Sequence, residues 1–490
     1  MTQLPTTTII GLEVHVQLKT ATKLFCGCST QFGSPPNTQV CPVCLGLPGA
    51  LPVLNEHAIE LAIRAGLSIN CSIPPLTKWD RKQYFYPDLP KGYQISQFDL
   101  PICADGCLQI ADPANPDATR KIGITRAHLE EDAGKSMHDE VAGRGDTRID
   151  LNRCGTPLLE IVSEPDMRTA EEALAYLTKL KETMTHLGVS DCEMQEGSLR
   201  VDANVNLHID KHGEKFITPI VEVKNMNSFR SVVGAIHFEA QRQYAEWEQT
   251  GDTIETRGKR TFGWNDAKEV TEPQREKEES ADYRYFPCPD LLPVRISREQ
   301  VDAIRQTLGE SPQAARERLP VQYGIKPYDA DVIVSQGRAM VDYFDAAALK
   351  CGDGKRTSSW IQQDVMRTLK EQGGDIESFG VTADQLGEIL SQVIAGDLTN
   401  DRARDVFRHL CEQGGSVADA IAALGIEAVD NSEIEALVKD LLAANPKIVD
   451  DVKNGNEKAV GALIGQARKQ NPNASPQLVR ETALQLIANM

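Results

Sequence analysis

The chain has 490 residues, of which 41% are hydrophobic and 25% charged, and its formal net charge is −19. At roughly 150 residues per domain, this length exceeds one ordinary core, and we expect about three domains. The composition is that of a globular protein, and no apolar run approaches the ~20 residues that a membrane helix needs. The acidic balance excludes a surface covered in nonspecific nucleic-acid contacts, so an RNA partner must meet a local basic patch.

The N-terminus and the cysteine content both predict a cytoplasmic protein. Residues 1–8 contain no basic segment followed by an apolar stretch, so the sequence predicts no export. The 12 cysteines are diluted over 490 residues, which favours a reducing compartment over a disulfide scaffold.

Residues 1–293 are predicted to form a strand-rich α+β domain. Period-two alternation and frequent Gly and Pro dominate this region, and only two stretches have a convincing helical pattern. The first, 169–187, begins with Thr169 as a cap and ends before Gly188. The second runs from Ser228, the predicted N-cap, to about residue 249. One large catalytic unit is the simplest interpretation.

After residue 293 helical patterns replace strands, for example at 299–308, 312–317 and 360–370. We therefore predict an all-helical linker domain at 294–404 and a small helical tail domain at 405–490. Residues 447–490 contain six Lys and Arg against four Asp and Glu, opposite in sign to the rest of the chain. This makes the tail a candidate RNA contact, although a solvated helix face explains the charge equally well.

Four cysteines have the spacing of metal ligands. Cys26 and Cys28 are separated by one residue, and twelve residues later Cys41 and Cys44 are separated by two. Four thiolates suit tetrahedral Zn²⁺, and a closed four-sulfur site leaves no position for a reactive water. The pattern predicts a structural zinc that stabilises a loop.

Several acidic residues stand in unusual contexts. A strand at 9–18 places Glu13 and His15 on one face, and Glu160 interrupts an apolar run, where a charge is costly unless it is paired or bound to metal. Glu130 and Glu131 precede a Gly-Lys-Ser triplet that ends like a phosphate loop. The glycine that such a loop needs five positions earlier is replaced by Leu129, so a P-loop is excluded.

Two further stretches complete this polar pattern. Residues 198–209 alternate polar and apolar side chains, as a strand lining a cleft would, and 222–228 continue towards the second predicted helix. Residues 78–93 interleave four cations with five aromatic side chains, a combination that suits phosphates, a base or an RNA end. Together these features suggest magnesium-assisted phosphoryl transfer.

The chain resembles the B subunits of the tRNA-dependent amidotransferases over essentially its whole length. The strings that carry the resemblance are GLEVHVQL at 11–18, RKQYFYPDLPKGYQISQ at 81–97, HLEEDAGKS at 128–136, DLNRCGTPLLEIVSEPD at 150–166, MQEGSLRVDAN at 194–204 and EVKNMNS at 222–228. The resemblance implies a cradle-like catalytic domain, a helical linker and a small helical tail that binds the tRNA.

The resemblance also implies a reaction and partners. The B subunit would transfer the γ-phosphate of ATP to the side-chain carboxylate of misacylated Glu-tRNA(Gln), Asp-tRNA(Asn) or both, and ammonia would then displace the phosphate. A glutaminase A subunit would supply the ammonia, and a small C subunit would complete a heterotrimer. The alternative is a noncatalytic zinc-stabilised tRNA-binding adaptor.

The site residues follow by resemblance. His15, Glu131 and Glu160 would ligate Mg²⁺, Glu13 and Glu196 would complete the acidic pocket, and two lysines would compensate the phosphate charge. Glu193 stands close to Glu196 and is an alternative for its role. The two lysines are Lys82 and Lys91.

Overall fold

The computed structural model describes residues 4–138, 147–274, 283–426, 431–453, 456–471, 474 and 476–488. These fall into two compact units, residues 1–312 and 313–490. Within the described ranges, no helix is both long enough and apolar enough to cross a membrane. The first unit is strand-rich and the second is helical, which confirms the predicted α+β class with a helical C-terminal part.

The first unit is built on one nine-stranded sheet and three small ones. The strands are β1 Thr6–Gln17, β2 Leu76–Thr77, β3 Asp80–Gln83, β4 Tyr93–Ser96, β5 Cys103–Asp112, β6 Asn115–Glu131, β7 Lys135–His138, β8 Thr147–Asp150, β9 Pro157–Ser163, β10 Leu199–Lys211, β11 Glu214–Ile217, β12 Val221–Lys224, β13 Arg260–Asn265, β14 Val270–Pro273, β15 Phe286–Pro287 and β16 Val294–Arg295. The large sheet has the order β14-β13-β12-β10-β1-β9-β6-β5, and β11 pairs with β10. β1 therefore lies at its centre.

The two faces of the large sheet differ because β1 and its neighbours alternate in polarity. In β1 the side chains of Ile10, Leu12, Val14 and Val16 are at most 1% exposed and belong to the main core. Successive residues of a strand point to opposite faces, so the residues between them form a second, polar face.

Helices cover the apolar face. The helices of the first unit are α1 Glu56–Ser68, α2 Ala170–His186, α3 Phe229–Thr250, α4 Ile254–Arg257 and α5 Arg298–Thr307. The two predicted helices are confirmed as α2 and α3, with Thr169 and Ser228 as N-caps whose hydroxyl groups accept backbone N–H bonds. The prediction of only two convincing helices was wrong, because α1 also packs its apolar face into this core.

Helix α5 belongs to the first unit by its packing. Val301 and Ile304 lie against the main core, and Arg64 of α1 donates to the Thr307 hydroxyl at 2.8 Å. Packing thus continues past residue 293, the predicted end of the catalytic domain.

The second unit is helical throughout its described residues. Its helices are α6 Pro312–Tyr323, α7 Pro327–Val334, α8 Arg338–Cys351, α9 Gly354–Trp360, α10 Met366–Gln372, α11 Ala383–Ala395, α12 Asn400–Gln413, α13 Val417–Ala423, α14 Asn431–Ala444, α15 Pro446–Lys453, α16 Gly461–Gln470 and α17 Pro476–Ala488. A π-helical turn, Ile361–Val365, joins α9 to α10. One core spans 315–426 and another 434–487. The boundary at 404 stays a prediction, and Phe407 and Leu410 pack in the first of these cores.

Candidate active site and cysteine cluster

The strand register brings distant polar residues into one row on the polar face of the large sheet. His15 of β1 is paired with Glu160 of β9 and with Arg200 of β10, and Glu160 is paired with His128 of β6. Directly paired residues have Cβ atoms about 5 Å apart on the same face. Four strands therefore place two imidazoles, a carboxylate and a guanidinium side by side.

A cluster suited to a divalent cation lies in this row. His15 Nε2 is 3.4 Å from Glu160 Oε2 and 3.7 Å from Glu130 Oε1. The potential ligand atoms of these three residues all lie within 4.8 Å of one another. His128 Nε2 approaches the same Glu160 oxygen at 3.4 Å from the other side. We call His15, Glu130 and Glu160 the metal cluster.

The electrostatics of the metal cluster are those of a site that lacks positive charge. Burial, and then repulsion from Glu160, raises the pKa of Glu130 to about 7. Burial also opposes ionisation of Glu160, but the imidazoles of His128 and His15, together with Lys82, hold its pKa well below the usual range. Burial lowers the pKa of His128 to about 4. A divalent cation would relieve the repulsion between the two carboxylates.

Lys82 faces the metal cluster from β3. Its ammonium is 4.9 Å from the ring centre of Tyr283. Burial opposes its charge, but attraction to Glu130, Tyr285 and Glu160 raises the pKa of Lys82. Lys82 is therefore a fixed cation beside the carboxylates, as the sequence predicts for a phosphate-binding lysine.

Glu131 lies on the other face of β6. It forms an ion pair with Lys91, and its Oε1 accepts the backbone N–H of Ile95 at 2.9 Å. The Lys91 and Glu131 side chains are only 8% and 2% exposed. Because neighbouring strand residues alternate in direction, only one of Glu130 and Glu131 can join His15 and Glu160. The structure brings Glu130 to them, whereas the sequence prediction chose Glu131.

Glu13 belongs to a second polar cluster two residues along β1. It accepts a hydrogen bond from Asn204 Nδ2 at 2.9 Å and lies with Asp202 and Glu222. Lys224 forms ion pairs with both of these carboxylates, 2.6 Å from Glu222 Oε1. An internal ammonium thus already neutralises much of this cluster. Glu13 is on the predicted face but about 7 Å along the strand from His15.

The structure does not bring Glu196 to the metal cluster. Glu196 is exposed in the turn before β10. Glu193, its alternative, is also exposed and pairs with Lys181 at 3.0 Å. Alternation fails as a guide here, because the regular strand begins only at residue 199.

The four predicted cysteine ligands converge. The sulfur atoms of Cys26, Cys28, Cys41 and Cys44 all lie within 4.8 Å of one another. The Cys41 and Cys44 sulfurs are 3.9 Å apart, and Zn–S bonds of about 2.3 Å in a tetrahedron require about 3.8 Å. The residues present fit a structural zinc ion.

The protons shared among these thiols also fit a metal-binding group. The hydrogen bond between the Cys26 and Cys44 sulfurs raises the pKa of Cys26 and lowers that of Cys44 to about 4. Burial raises the pKa of Cys28 to about 11. One sulfur is thus a thiolate at neutral pH even without a metal, which is the form that binds zinc.

Sequence reasoning missed three polar neighbours of the metal cluster. His128 lies two residues before Glu130, so strand alternation alone could have placed it on the same face. Arg200 and Asp132 form an ion pair at 2.9 Å, and the Asp132 side chain is 3% exposed. That pair depends on the path of the chain after β6, which no local pattern reveals.

Comparison with known proteins agrees with the resemblance noted in the sequence. Residues 8–302 match the GatB/GatE catalytic domain, and residues 342–487 match the GatB domain. The B subunit of the aspartyl/glutamyl-tRNA(Asn/Gln) amidotransferase from Rhodopirellula baltica is 66% identical over 486 residues, covering 99% of this chain and 98% of that protein.

More distant relatives carry the same name. The protein from Caldanaerobacter subterraneus is 46% identical, covering 96% of this chain and 98% of its own length. The protein from Carboxydothermus hydrogenoformans is 45% identical, with coverages of 98% and 99%. Matches of this extent include the catalytic domain and disfavour a noncatalytic adaptor. The chain belongs to the B subunits of the aspartyl/glutamyl-tRNA(Asn/Gln) amidotransferase family.

Proposed function

We propose that this chain uses ATP to activate the side-chain carboxylate of a misacylated glutamyl- or aspartyl-tRNA for amidation. It would act in a complex with a glutaminase A subunit and a small C subunit, as the names of its relatives and the family resemblance suggest. The observation that carries the proposal is the metal cluster of His15, Glu130 and Glu160 beside Lys82.

The metal cluster fits Mg²⁺ in a nucleotide site. Mg²⁺ is usually bound by one or two carboxylates together with water and substrate phosphates. Glu130 and Glu160 provide two carboxylates, and His15 provides a neutral nitrogen ligand or a partner for a bound water. When bound, the ion would neutralise charge on the phosphates and draw the nucleotide to this face of the sheet.

Activation is needed because a carboxylate resists attack by ammonia. A carboxylate oxygen of the substrate would attack the γ-phosphorus of ATP, the bond between the β-phosphate oxygen and the γ-phosphorus would break, and ADP would leave. Ammonia would then attack the carbonyl carbon of the acyl phosphate. Inorganic phosphate would leave with the bonding electron pair, and the nitrogen would lose a proton to give the amide.

The protein's own side chains have separate tasks in this proposal. Lys82 would oppose the negative charge that spreads over the transferred phosphoryl group. His128 contacts the far oxygen of Glu160 and would hold that carboxylate in place. Lys91, also predicted to face phosphate, is paired with Glu131 on the other face, so it would reach a phosphate only by giving up that partner.

The remaining parts of the chain would support binding rather than chemistry. The cysteine cluster would hold a structural zinc ion, since four sulfurs leave no open position for a substrate. The helical C-terminal region, residues 405–490, would contact the body of the tRNA.

The test is ATP hydrolysis stimulated by misacylated tRNA in the reconstituted complex of A, B and C subunits. We expect Glu130→Gln and Glu160→Gln to abolish the stimulation, since each removes one anionic ligand. Glu214→Gln, at an exposed position in β11, is the matched control and should behave like the wild type. Stimulated turnover that survives in both cluster variants would refute the proposal.

The same complex can identify the substrate. Amidation should be measured separately with Glu-tRNA(Gln) and with Asp-tRNA(Asn), with correctly charged tRNAs as controls. Product from at least one misacylated tRNA is required, and the ratio of the two kcat/KM values gives the preference. Formation of amide from neither one would contradict the assignment.

A further inference from the structure

Lys23 is a fully buried lysine beside the cysteine cluster. It is 0% exposed, although burying an ammonium group without a partner costs several kcal/mol. Its Nζ donates to the Gln39 carbonyl oxygen at 2.7 Å and lies 3.7 Å from the Cys44 sulfur. Among the described residues, no carboxylate lies within 4 Å of this ammonium. The nearby anion must therefore be sulfur.

The Cys44 sulfur receives two donors. Besides Lys23, the backbone N–H of Cys41 points to it at 3.1 Å. Donors converging on a sulfur favour the thiolate over the thiol. A zinc ion with four thiolates carries a net charge of −2, and holding that charge in a partly buried loop requires cations or N–H donors close to the sulfurs.

We propose that Lys23 is a positioning residue of the zinc site, whose buried ammonium donates to the Cys44 sulfur and offsets part of the negative charge of the four-thiolate centre. This inference rests on the zinc site proposed above. It assigns Lys23 to the shell of groups around the ligands, which orient them and adjust their basicity.

The backbone around Lys23 explains why a single residue can serve both cysteine pairs. Its N–H donates to the Cys28 carbonyl at 3.0 Å, while its side chain reaches Gln39 and Cys44. The next residue, Leu24, donates its N–H to the Gly155 carbonyl just before β9. Lys23 thus connects the first cysteine pair, the second pair and the sheet.

The test compares zinc binding by full-length variants at one position. Lys23→Met removes the charge and the donor, and Lys23→Gln keeps a donor for the Gln39 carbonyl without the charge. Lys19→Met, at an exposed position four residues earlier, is the control. Zinc affinity is measured by competition with a chromophoric chelator, after circular dichroism has verified the fold of each variant.

We expect both Lys23 variants to bind zinc 10–100-fold more weakly than the wild type, roughly the range found when groups behind metal ligands are removed. In the Co²⁺-substituted protein, the thiolate-to-metal charge-transfer band should move to longer wavelength, because the sulfur electrons lose a stabilising cation. The control should match the wild type in both measurements.

Other outcomes overturn the inference in distinguishable ways. Wild-type affinity and an unmoved band in both variants would show that Lys23 does not act on the metal site. Normal affinity in Lys23→Gln alone would assign the effect to the Gln39 hydrogen bond and refute the role of charge. A wild-type chain that binds no zinc would refute the zinc site itself, and Lys23 with it. If Lys23→Met fails to fold, the Lys23→Gln comparison decides.

Discussion

Neutralising Glu130 should stabilise the metal-free protein while it removes function. The folded protein raises the pKa of Glu130 to about 7 from 4.5, and each pKa unit corresponds to about 1.36 kcal/mol. A carboxyl group whose folded pKa is raised favours the protonated fold, so the ionised group costs stability above pH 7. We expect Glu130→Gln to raise the free energy of unfolding by about 3 kcal/mol at pH 8.

The neighbouring carboxylate gives a control of opposite sign. Glu131→Gln leaves the Lys91 ammonium, whose side chain is 8% exposed, without its ion-pair partner. Breaking a buried ion pair on one side costs about 3–5 kcal/mol. Two identical substitutions at adjacent positions should therefore move stability in opposite directions, because one carboxylate lacks a cation and the other has one.

The assay is urea unfolding without added divalent cations, at pH 8 and at pH 5. Tryptophan fluorescence reports mainly on the first unit, which contains three of the four tryptophans, Trp79, Trp247 and Trp264. The gain in Glu130→Gln should shrink as the pH falls through 7 and nearly vanish at pH 5, where the wild-type carboxyl is also protonated. A destabilised Glu130→Gln, or a gain that does not depend on pH, would refute the reasoning.

Three further predictions follow from the same geometry. Binding of Mn²⁺, used in place of Mg²⁺, should weaken as the pH falls from 8 to 6, because Glu130 has a pKa of about 7 and because, although burial opposes it, attraction to two carboxylates raises the pKa of His15; calorimetry that detects no proton release would contradict this. Lys224→Met should lower the free energy of unfolding by about 3 kcal/mol, whereas Lys268→Met, in a half-exposed pair, should change it by less than about 1 kcal/mol; equal effects in urea would argue against the difference. Lys82→Met should raise the KM for ATP about tenfold, since a charged contact to phosphate contributes about 1.5 kcal/mol or more, and steady-state kinetics with an unchanged KM would exclude that contact.

Local patterns predicted those elements whose signals are complete within a short window. Helices α2 and α3 carry a hydroxyl N-cap, and α3 ends at Gly251 in the left-handed conformation. Helix α1 was missed although Asn55 caps it. Six of its residues are buried, so its apolar positions extend around much of the helix and obscure the 3.6-residue period.

The candidate site was predicted only as far as one strand allows. Alternation in β1 correctly places Glu13 and His15 on the face opposite the apolar core. It cannot decide which other strands lie beside β1, since pairing is set by the whole sheet. Glu130 and Glu131 illustrate the consequence, because a choice between adjacent residues is a choice between faces. Here the register with β9 settles it.

The register that aligns the metal cluster is held by the apolar face of the same strands. A shift of β9 by one residue would exchange Glu160 with Leu159 or Ile161, which are both 0% exposed in the core. That shift would bury a carboxylate among aliphatic side chains and expose leucine or isoleucine to solvent, and both changes cost several kcal/mol. Repulsion between Glu130 and Glu160 is therefore too weak to separate the strands. The sheet keeps two carboxylates close together without a cation, which is the arrangement that a divalent ion binds most strongly.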